Sequence, residues 1–351
     1  MATDSRTRQA ESTATIYDIA KITGCSPATV SRAINHPEQV RPGTLSAIRD
    51  AMQAEGFARR GYRARQQSSR KDARTGRYLL MIPGAGNPFY GQIIEGALNA
   101  ASAHGCRLLV SYADSSDVII PGQNDAVESD HYDGIILMTG LPDDREGGRS
   151  YSTPVIQCSE YNETLSGVSL VSINDEAGMR KMTEHVIASG RRRLAYISCP
   201  AGMRYAVRRM NGFRLACASH GITVPDSRVI TLPQTGFEIA HSAALRLLAA
   251  PEKPDAVICS SDVYAIACLK AAHTLGIRVP EDLAITGFDD IPLASMVDPA
   301  ITTIRQPRYQ LGFTAFETLF HESQNPETEK QQIFLPTDLV IRETTAVRRS
   351  L

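Results

Sequence analysis

Residues 16–35, IYDIAKITGCSPATVSRAIN, carry side chains suited to reading DNA bases. The second half of this segment is made of short or polar residues with one long cation, Arg32. An arginine can donate two hydrogen bonds to a single guanine, which is worth about 1–3 kcal/mol of discrimination between bases. The pattern predicts a recognition helix that enters a major groove, and the alternative is an ordinary helical hairpin.

A second set of reactive or polar side chains follows apolar segments later in the chain. Phe89 and Tyr90 can stack on a sugar or a base, although the alternative is a helix start with core aromatics. Asp114 can bind a hydroxyl group, and Asp262 and Asp289 can each accept hydrogen bonds from two hydroxyls. These residues predict a site for a neutral, polyhydroxylated molecule.

Two short helices and a tight turn must position Arg32. One helical stripe holds the apolar residues of the first helix, and the second helix turns its own apolar residues back onto it. Gly24 can take the positive φ of a sharp turn, Ser26 is a good N-cap, and Pro27 suits the first helical position. A third helix is expected from Pro42 or Thr44 to Glu55, completing a three-helix head.

From Tyr78 onward, short apolar strands alternate with helices. This pattern is typical of parallel, doubly wound α/β sheets, and it occurs in two sets of about 100 residues each. Helices are expected at about 88–104, 175–189, 208–220, 237–249 and 262–275. Two such lobes bind ligands in the cleft between them, at the carboxyl ends of the strands.

Charge separates the head from the rest of the chain. Residues 1–77 carry 14 Lys and Arg against seven Asp and Glu, whereas the remainder carries 23 against 31. A basic head on an acidic body indicates that only the head contacts a polyanion. Residues 58–77 hold eight of these cations and almost nothing apolar, which predicts a linker. This linker is a solvated tether, a source of extra phosphate contacts, or a segment that becomes ordered on DNA.

Several protein classes are disfavoured. No apolar run approaches the roughly 20 residues of a membrane span, and the polar N-terminus lacks the apolar core of a signal peptide, so we expect a cytoplasmic protein. The seven scattered cysteines contain no CxxC pair and predict reduced thiols rather than a metal site. GAGNPFYG lacks the spacing of a dinucleotide-binding loop, and no catalytic motif is present, so we expect no enzyme, metal or cofactor.

The order of these segments resembles the lactose-repressor (LacI/GalR) family of bacterial transcription regulators. The resemblance covers nearly the whole chain and is carried by IYDIAKITGCSPATVSRAIN, NPFYGQIIEGALNAASAHG, RRMNGFRLAC, LAITGFDDIPLASMVDPAITTIRQP and LVIRETT. Within the family, SEYNET, CSSDVYA and DPAITTIRQPRYQLG are most similar to the cytidine-responsive (nucleoside) repressors. Ser261, and Ser159 or Glu160, depart from residues common in sugar-binding members.

For the head, the resemblance implies base contacts by Pro27, Ala28 and Arg32. The residues expected to contact DNA phosphates are Thr15, Tyr17, Thr29, Ser31, Asn35, Arg59 and Arg60. Arg59-Arg60 stands where many members have Pro-Asn, and Gln66 stands near the position of a leucine that wedges into the minor groove. We therefore expect DNA binding without that wedge and with more phosphate contacts.

For the body, the resemblance implies that Arg209, in an RxxGF pattern, joins Phe89, Tyr90, Asp114, Asp262 and Asp289 at an effector site. Asp290 is interpreted as structural or solvent-facing. The implied organisation is a tail over 1–13, a helix-turn-helix domain over 14–58, a linker over 59–77 and an α/β periplasmic-binding-protein-like body over 78–351. Lobe one is expected at about 78–173 and 306–334, and lobe two at about 174–305 and 335–351.

Together these features predict a repressor whose affinity for a near-palindromic operator changes when an effector binds between the lobes. The effector is expected to be a nucleoside or sugar, with a sugar acid as the alternative. The tail AVRRSL contains no leucine heptad, so a homodimer is expected rather than a coiled-coil tetramer. A solute-binding protein fits the two lobes but not the DNA-binding head.

Overall fold

The computed structural model describes residues 16–35, 40–54, 76–84, 86–112, 132–140, 153–165 and 167–346. The chain forms two compact units, Met1–Arg74 and Thr75–Leu351, which we call the head and the body. The expectations for Thr15, Arg59, Arg60 and Asp114 lie outside the described residues, as do those for the N-terminal tail and most of the linker.

The head contains the three expected helices. They are α1 (Ile16–Thr23), α2 (Pro27–Asn35) and α3 (Pro42–Ala54). Between the first two, Gly24 has a φ of 65°, and the Ser26 hydroxyl accepts a hydrogen bond of 3.1 Å from the backbone N–H of Thr29. The core of the head buries small and branched side chains: Ile19, Ala20, Val30, Ala33, Ile48 and Ala51.

Lobe one of the body is a six-stranded parallel sheet with two helices packed against each other. Its strands run in the order β11-β5-β4-β3-β1-β2. A Cβ at Gly96 or Gly312 would collide with the backbone of the other helix, so glycine allows the two helices to cross closely. The elements are β1 (Arg77–Ile82), α4 (Phe89–Ala103), β2 (Arg107–Tyr112), β3 (Gly134–Leu137), β4 (Val155–Cys158), β5 (Ser169–Ile173), α10 (Arg308–Gln324) and β11 (Gln332–Leu335).

Lobe two is a four-stranded parallel sheet in the order β7-β6-β8-β9, with helices following its strands. A short antiparallel pair, β10 and β12, contacts its first helix. The elements are α5 (Asp175–Ala188), β6 (Leu194–Ser198), α6 (Arg204–Ser219), β7 (Val229–Thr231), α7 (Phe237–Ala249), β8 (Ala256–Cys259), α8 (Asp262–Thr274), β9 (Ala284–Thr286), α9 (Pro292–Met296), β10 (Thr303–Arg305) and β12 (Asp338–Val340).

The chain passes three times between the lobes. The passages follow β5, β10 and β11, so that neither lobe is formed by one continuous segment. Helix α6 begins at Arg204, four residues before the start expected from the sequence. The expected start was wrong because the first N–H groups of this helix are satisfied by a carboxylate from lobe one, which has no local signal.

Candidate functional site

Helix α2 presents the residues proposed to read DNA. Pro27, Thr29 and Arg32 are half-buried, while Val30 and Ala33 on the same helix are buried in the head. The Thr29 hydroxyl lies 2.8 Å from the Ser26 hydroxyl, so this threonine also supports the start of the helix. For Tyr17, Ala28, Ser31 and Asn35 the side chains lie outside the described residues.

Arg209 on α6 is the centre of a buried polar cluster in lobe two. Its Nε donates to Asp175 Oδ1 at 2.7 Å, and its Nη1 donates to the Ser260 carbonyl at 2.6 Å and to Asp289 Oδ1 at 3.3 Å. Its guanidinium carbon lies 3.7 Å from the centroid of the Phe288 ring. Burial alone would lower the pKa of Arg209, but the two carboxylates outweigh it and raise the pKa, so the side chain stays cationic.

Asp289 joins the cluster through an unusual backbone conformation. Its φ is 116°, a region that disfavours side chains, and such strain is found where the surrounding structure holds a functional residue in place. Its carboxylate accepts hydrogen bonds from Gln306 Nε2 at 2.7 Å and from the Ser261 hydroxyl at 3.3 Å. Gln306 Oε1 is buried and has no hydrogen-bond partner among the described residues, which leaves an acceptor for a ligand hydroxyl.

Three tyrosines surround this cluster, one from lobe one and two from lobe two. They are Tyr90 on α4, Tyr205 on α6 and Tyr264 on α8. Burial raises the pKa of all three phenols, and the negative charge of Asp289 raises it further at Tyr90 and Tyr264. Each phenol therefore keeps its proton at neutral pH. Tyr90 is the lobe-one residue of this group, and its ring and hydroxyl lie near the charged side chains of Asp289 and Arg209 in lobe two.

The other predicted aromatic, Phe89, is only 7% exposed. Its ring packs edge-on against Tyr90, with centroids 5.4 Å apart, and its backbone N–H is bonded to Asn87 Oδ1 at 3.0 Å. Phe89 therefore supports Tyr90 and forms part of the helix start.

Asp262 is oriented differently from Asp289, although both follow a strand. Its Oδ1 accepts from the Thr303 hydroxyl at 2.6 Å, and its Oδ2 accepts from the Ile291 N–H at 2.8 Å. The residue is completely buried, and burial raises its pKa well above the ordinary value. Both oxygens are thus engaged in joining α8 to the segments that carry Thr303 and Ile291.

Asp290 connects the strand pair to the end of β9. Its carboxylate accepts from Arg305 Nε at 2.6 Å and from Arg342 Nη2 at 2.7 Å. Burial would raise the pKa of Asp290, but these two guanidinium groups outweigh it and lower the pKa. The contacts agree with the structural role expected for this residue.

Sequence reasoning did not include Asp175, Gln306, Tyr205 or Tyr264 in the site. Asp175 and Gln306 do carry a signal, because each follows the carboxyl end of a strand, but Asp175 was expected to begin a helix and Gln306 to mark a passage between the lobes. The two tyrosines lie inside helices and have no comparable signal. No cluster of potential metal ligands occurs within the described ranges, and no helix there is long and apolar enough to cross a membrane.

Comparison with known proteins assigns both units. Residues 15–59 match the lacI family of bacterial regulatory proteins, and residues 183–345 match a periplasmic binding protein-like domain. The ribose operon repressor of Halalkalibacterium halodurans is 30% identical, over 94% of this chain and 97% of the relative. The transcriptional repressor CytR of Escherichia coli is also 30% identical, over 97% of this chain and 98% of the relative.

A solved structure extends the similarity to three dimensions. The transcriptional regulator CelR in complex with cellobiose is 26% identical to this chain and superimposes with a TM-score of 0.67. The alignment covers 94% of this chain and 99% of CelR, and therefore includes both the head and the body.

Proposed function

Since the chain belongs to the lacI family of bacterial regulatory proteins, we propose that it is a DNA-binding transcriptional repressor controlled by a small effector. The observation that carries the effector site is the buried cluster of Arg209, Asp289 and Gln306 at the carboxyl ends of the lobe-two strands. Parallel α/β sheets bind ligands at this edge.

The chemistry of the cluster favours a neutral, polyhydroxylated effector. The charge of Arg209 is already balanced by Asp175 and Asp289, so this arginine is not an unpaired cation for an anionic ligand. Asp289 and Gln306 Oε1 can accept hydrogen bonds from hydroxyl groups, and Tyr90 can cover a sugar or base ring. We therefore propose Arg209, Asp289, Gln306 and Tyr90 as contacts, with Phe89 behind Tyr90.

A pentose or a nucleoside fits this description best. One relative is named as a ribose operon repressor, and a ribose ring is also part of every ribonucleoside. We propose a supporting role for Asp262, because it is fully buried and its carboxylate joins α8 to Thr303 and Ile291. Asp114 remains a proposed contact, following β2.

In the head, Arg32 is proposed to read a guanine, with Pro27 and Ala28 against neighbouring bases. The proposed phosphate contacts are Thr15, Tyr17, Thr29, Ser31, Asn35, Arg59 and Arg60. We further propose a cytoplasmic homodimer, because a two-fold dimer matches a near-palindromic operator. We also propose that the helix-turn-helix domain spans 14–58, the linker 59–77 and the body 78–351, with the lobes divided near residues 173, 306 and 334.

The effector assignment is tested by thermal unfolding of the full chain with ribose, cytidine, adenosine and cellobiose. A ligand at 100 times its Kd adds about 2.7 kcal/mol of stability, which raises the unfolding midpoint measurably. We expect a shift with ribose or a nucleoside, and we expect Asp289→Asn to abolish it while the exposed-site variant Arg214→Lys retains it. A shift that survives Asp289→Asn undiminished would place the effector elsewhere.

DNA binding is tested with the same proteins by fluorescence anisotropy on operator candidates selected from random DNA. The ligand that raises the unfolding midpoint should also change the affinity of the protein for its operator. Such coupling between an effector site and a DNA site typically changes affinity by about 5–150-fold. Binding of DNA without any effect of the ligand would refute the proposed coupling but leave the head's function in place.

A further inference from the structure

Glu160 caps a helix that belongs to the other lobe. The residue follows β4 of lobe one, and its Oε1 accepts a 2.7 Å hydrogen bond from the backbone N–H of Arg204. Its Oε2 accepts from the N–H of Tyr205 at 3.1 Å. These are the first two residues of α6, whose N–H groups have no partner within the helix. A carboxylate at this end also interacts favourably with the helix dipole.

A second contact joins the same two segments. The guanidinium carbon of Arg208 on α6 lies 3.6 Å from the centroid of the Tyr161 ring, and its Nη2 donates to the Tyr161 carbonyl at 3.0 Å. Tyr161 is 4% exposed and the Arg208 side chain is 15% exposed, so the pair is largely shielded from water. A cation stacked on an aromatic ring is more stabilising when it is desolvated.

The backbone of lobe one is shaped to make these contacts. Ser159 has a φ of 68°, a left-handed conformation that is uncommon for a residue with a side chain. Its N–H donates to the Val171 carbonyl at 2.9 Å, and its own carbonyl accepts from the Ser172 hydroxyl at 2.8 Å. The neighbouring strand therefore holds the turn that directs the chain into Glu160.

Helix α6 also carries the centre of the effector cluster. Arg208, which contacts lobe one, is followed directly by Arg209, which binds Asp175 and Asp289 in lobe two. A shift of α6 relative to lobe one must therefore alter the contacts of Glu160 and Arg208, and it also moves the cluster relative to Tyr90 of lobe one.

We propose that Glu160 is a latch that favours the closed cleft. In the closed state it satisfies two N–H groups of α6, and in an open state those groups must be hydrated. The proposal deepens the proposed function, on which it rests, by naming a residue that sets the balance between open and closed lobes. Glu160 acts on effector affinity through this balance and is a positioning residue.

The latch can be tested without any effector through the reactivity of Cys199. This thiol lies after β6 in lobe two, is 2% exposed, and sits 3.2 Å from the Ser260 hydroxyl. The carbonyl of the same Ser260 accepts a hydrogen bond from Arg209, so this thiol lies beside the buried cluster at the carboxyl ends of the lobe-two strands. Opening of the cleft should expose it to iodoacetamide, whereas Cys259 and Cys268 are fully buried in lobe two.

The experiment compares the full-length wild type with Glu160→Ala and Glu163→Ala. Glu163 is the matched control because its exposed carboxylate also lies near Arg208, at 3.5 Å from Nη2, and has no hydrogen bond to the start of α6 among the described residues. Tryptic peptides 194–204 and 247–270 separate Cys199 from Cys259 and Cys268 in the mass spectrum. The measured quantity is the rate of alkylation of each peptide under native conditions.

We expect Glu160→Ala to speed alkylation of Cys199 about tenfold, which corresponds to about 1.4 kcal/mol in the opening equilibrium. Glu163→Ala should change it less than twofold, and the 247–270 peptide should be unaffected in both variants. Glu160→Gln, which keeps one acceptor, should give an intermediate rate and serves if the alanine variant does not fold.

Two results would overturn the latch. Unchanged Cys199 reactivity in Glu160→Ala and Glu160→Gln would show that the contact does not hold the cleft closed. An equal rise at Cys199 and in the 247–270 peptide would show that Glu160 only supports the folding of lobe two. Either result leaves the proposed function standing, because no DNA or effector is present, and that proposal fails only in the ligand and DNA assays described above.

Discussion

Replacement of Arg209 by methionine isolates the energetic role of the buried charge. Methionine is close to arginine in length and keeps apolar contact with the Phe288 ring, but it leaves the carboxylates of Asp175 and Asp289 without their cation. Their side chains are 2% and 6% exposed, so water cannot replace it. Removing one partner of a buried ion pair typically costs about 3–5 kcal/mol, and we expect a loss of that size in the free energy of unfolding.

The assay is urea unfolding followed by far-UV circular dichroism, since the chain has no tryptophan. Arg214→Met is the control, because Arg214 lies on the same helix and is exposed, and its effect should stay within about 0.5 kcal/mol. Adding Asp175→Asn to Arg209→Met should recover part of the loss, because the double variant buries one uncompensated charge fewer.

The pH dependence of this deficit distinguishes electrostatics from packing. Burial raises the pKa values of Asp175 and Asp289 even though Arg209 lowers them, so removing this cation should raise both pKa values further above their unfolded values. The folded state then binds more protons than the unfolded state, so its stability rises as pH falls through the folded pKa values. The deficit relative to wild type should therefore shrink from pH 8 to pH 5. A constant deficit, or one below about 1 kcal/mol, would refute the role of charge pairing.

Three further predictions concern other parts of the molecule. Because the pKa of Asp290 is lowered in the folded state, its ionised carboxylate stabilises the fold above the unfolded pKa, and this stabilisation is lost as pH falls through the folded pKa. Asp290→Asn should therefore reduce the fall of the thermal unfolding midpoint between neutral and acidic pH. Gly312→Ala should cost about 1–3 kcal/mol by overpacking α10 against the Ile93 backbone, whereas Gly91→Ala on open α4 surface should be neutral or stabilising in the same urea assay. Arg32→Lys should weaken operator binding by about 1–3 kcal/mol in anisotropy titrations while binding to random DNA changes little, and an equal loss on both would contradict base reading.

Much of the fold is predictable because its signals are local. The turn in the head follows from Gly24 and Ser26, which adopt the positive φ and the capping hydrogen bond that their types favour. The central strands β3 and β8 follow from short apolar runs that are buried on both faces. The start of α6 could not be predicted, because its cap is Glu160, 44 residues before Arg204 in the sequence.

The candidate site shows a different limit. Asp262 and Asp289 have the same signal in sequence, a carboxylate just after a buried strand. Only the fold separates them, because Asp262 is fully buried against Thr303 and Ile291, whereas Asp289 lies beside Arg209 and Gln306, whose Oε1 has no hydrogen-bond partner among the described residues. Strand ends identify the edge of the sheet where a ligand binds, and long-range partners decide which side chains are available to it.

The threefold passage of the chain between the lobes has a consequence for biosynthesis. Strand β11 completes the sheet of lobe one beside β5, and β12 with the residues after it completes lobe two, where the Ile285 N–H binds the Thr344 carbonyl. Neither lobe can therefore complete its fold until the segment that contains β11 and β12 has left the ribosome. The head has no such dependence, so a nascent chain can present a folded DNA-binding unit well before the domain that is proposed to regulate it is complete.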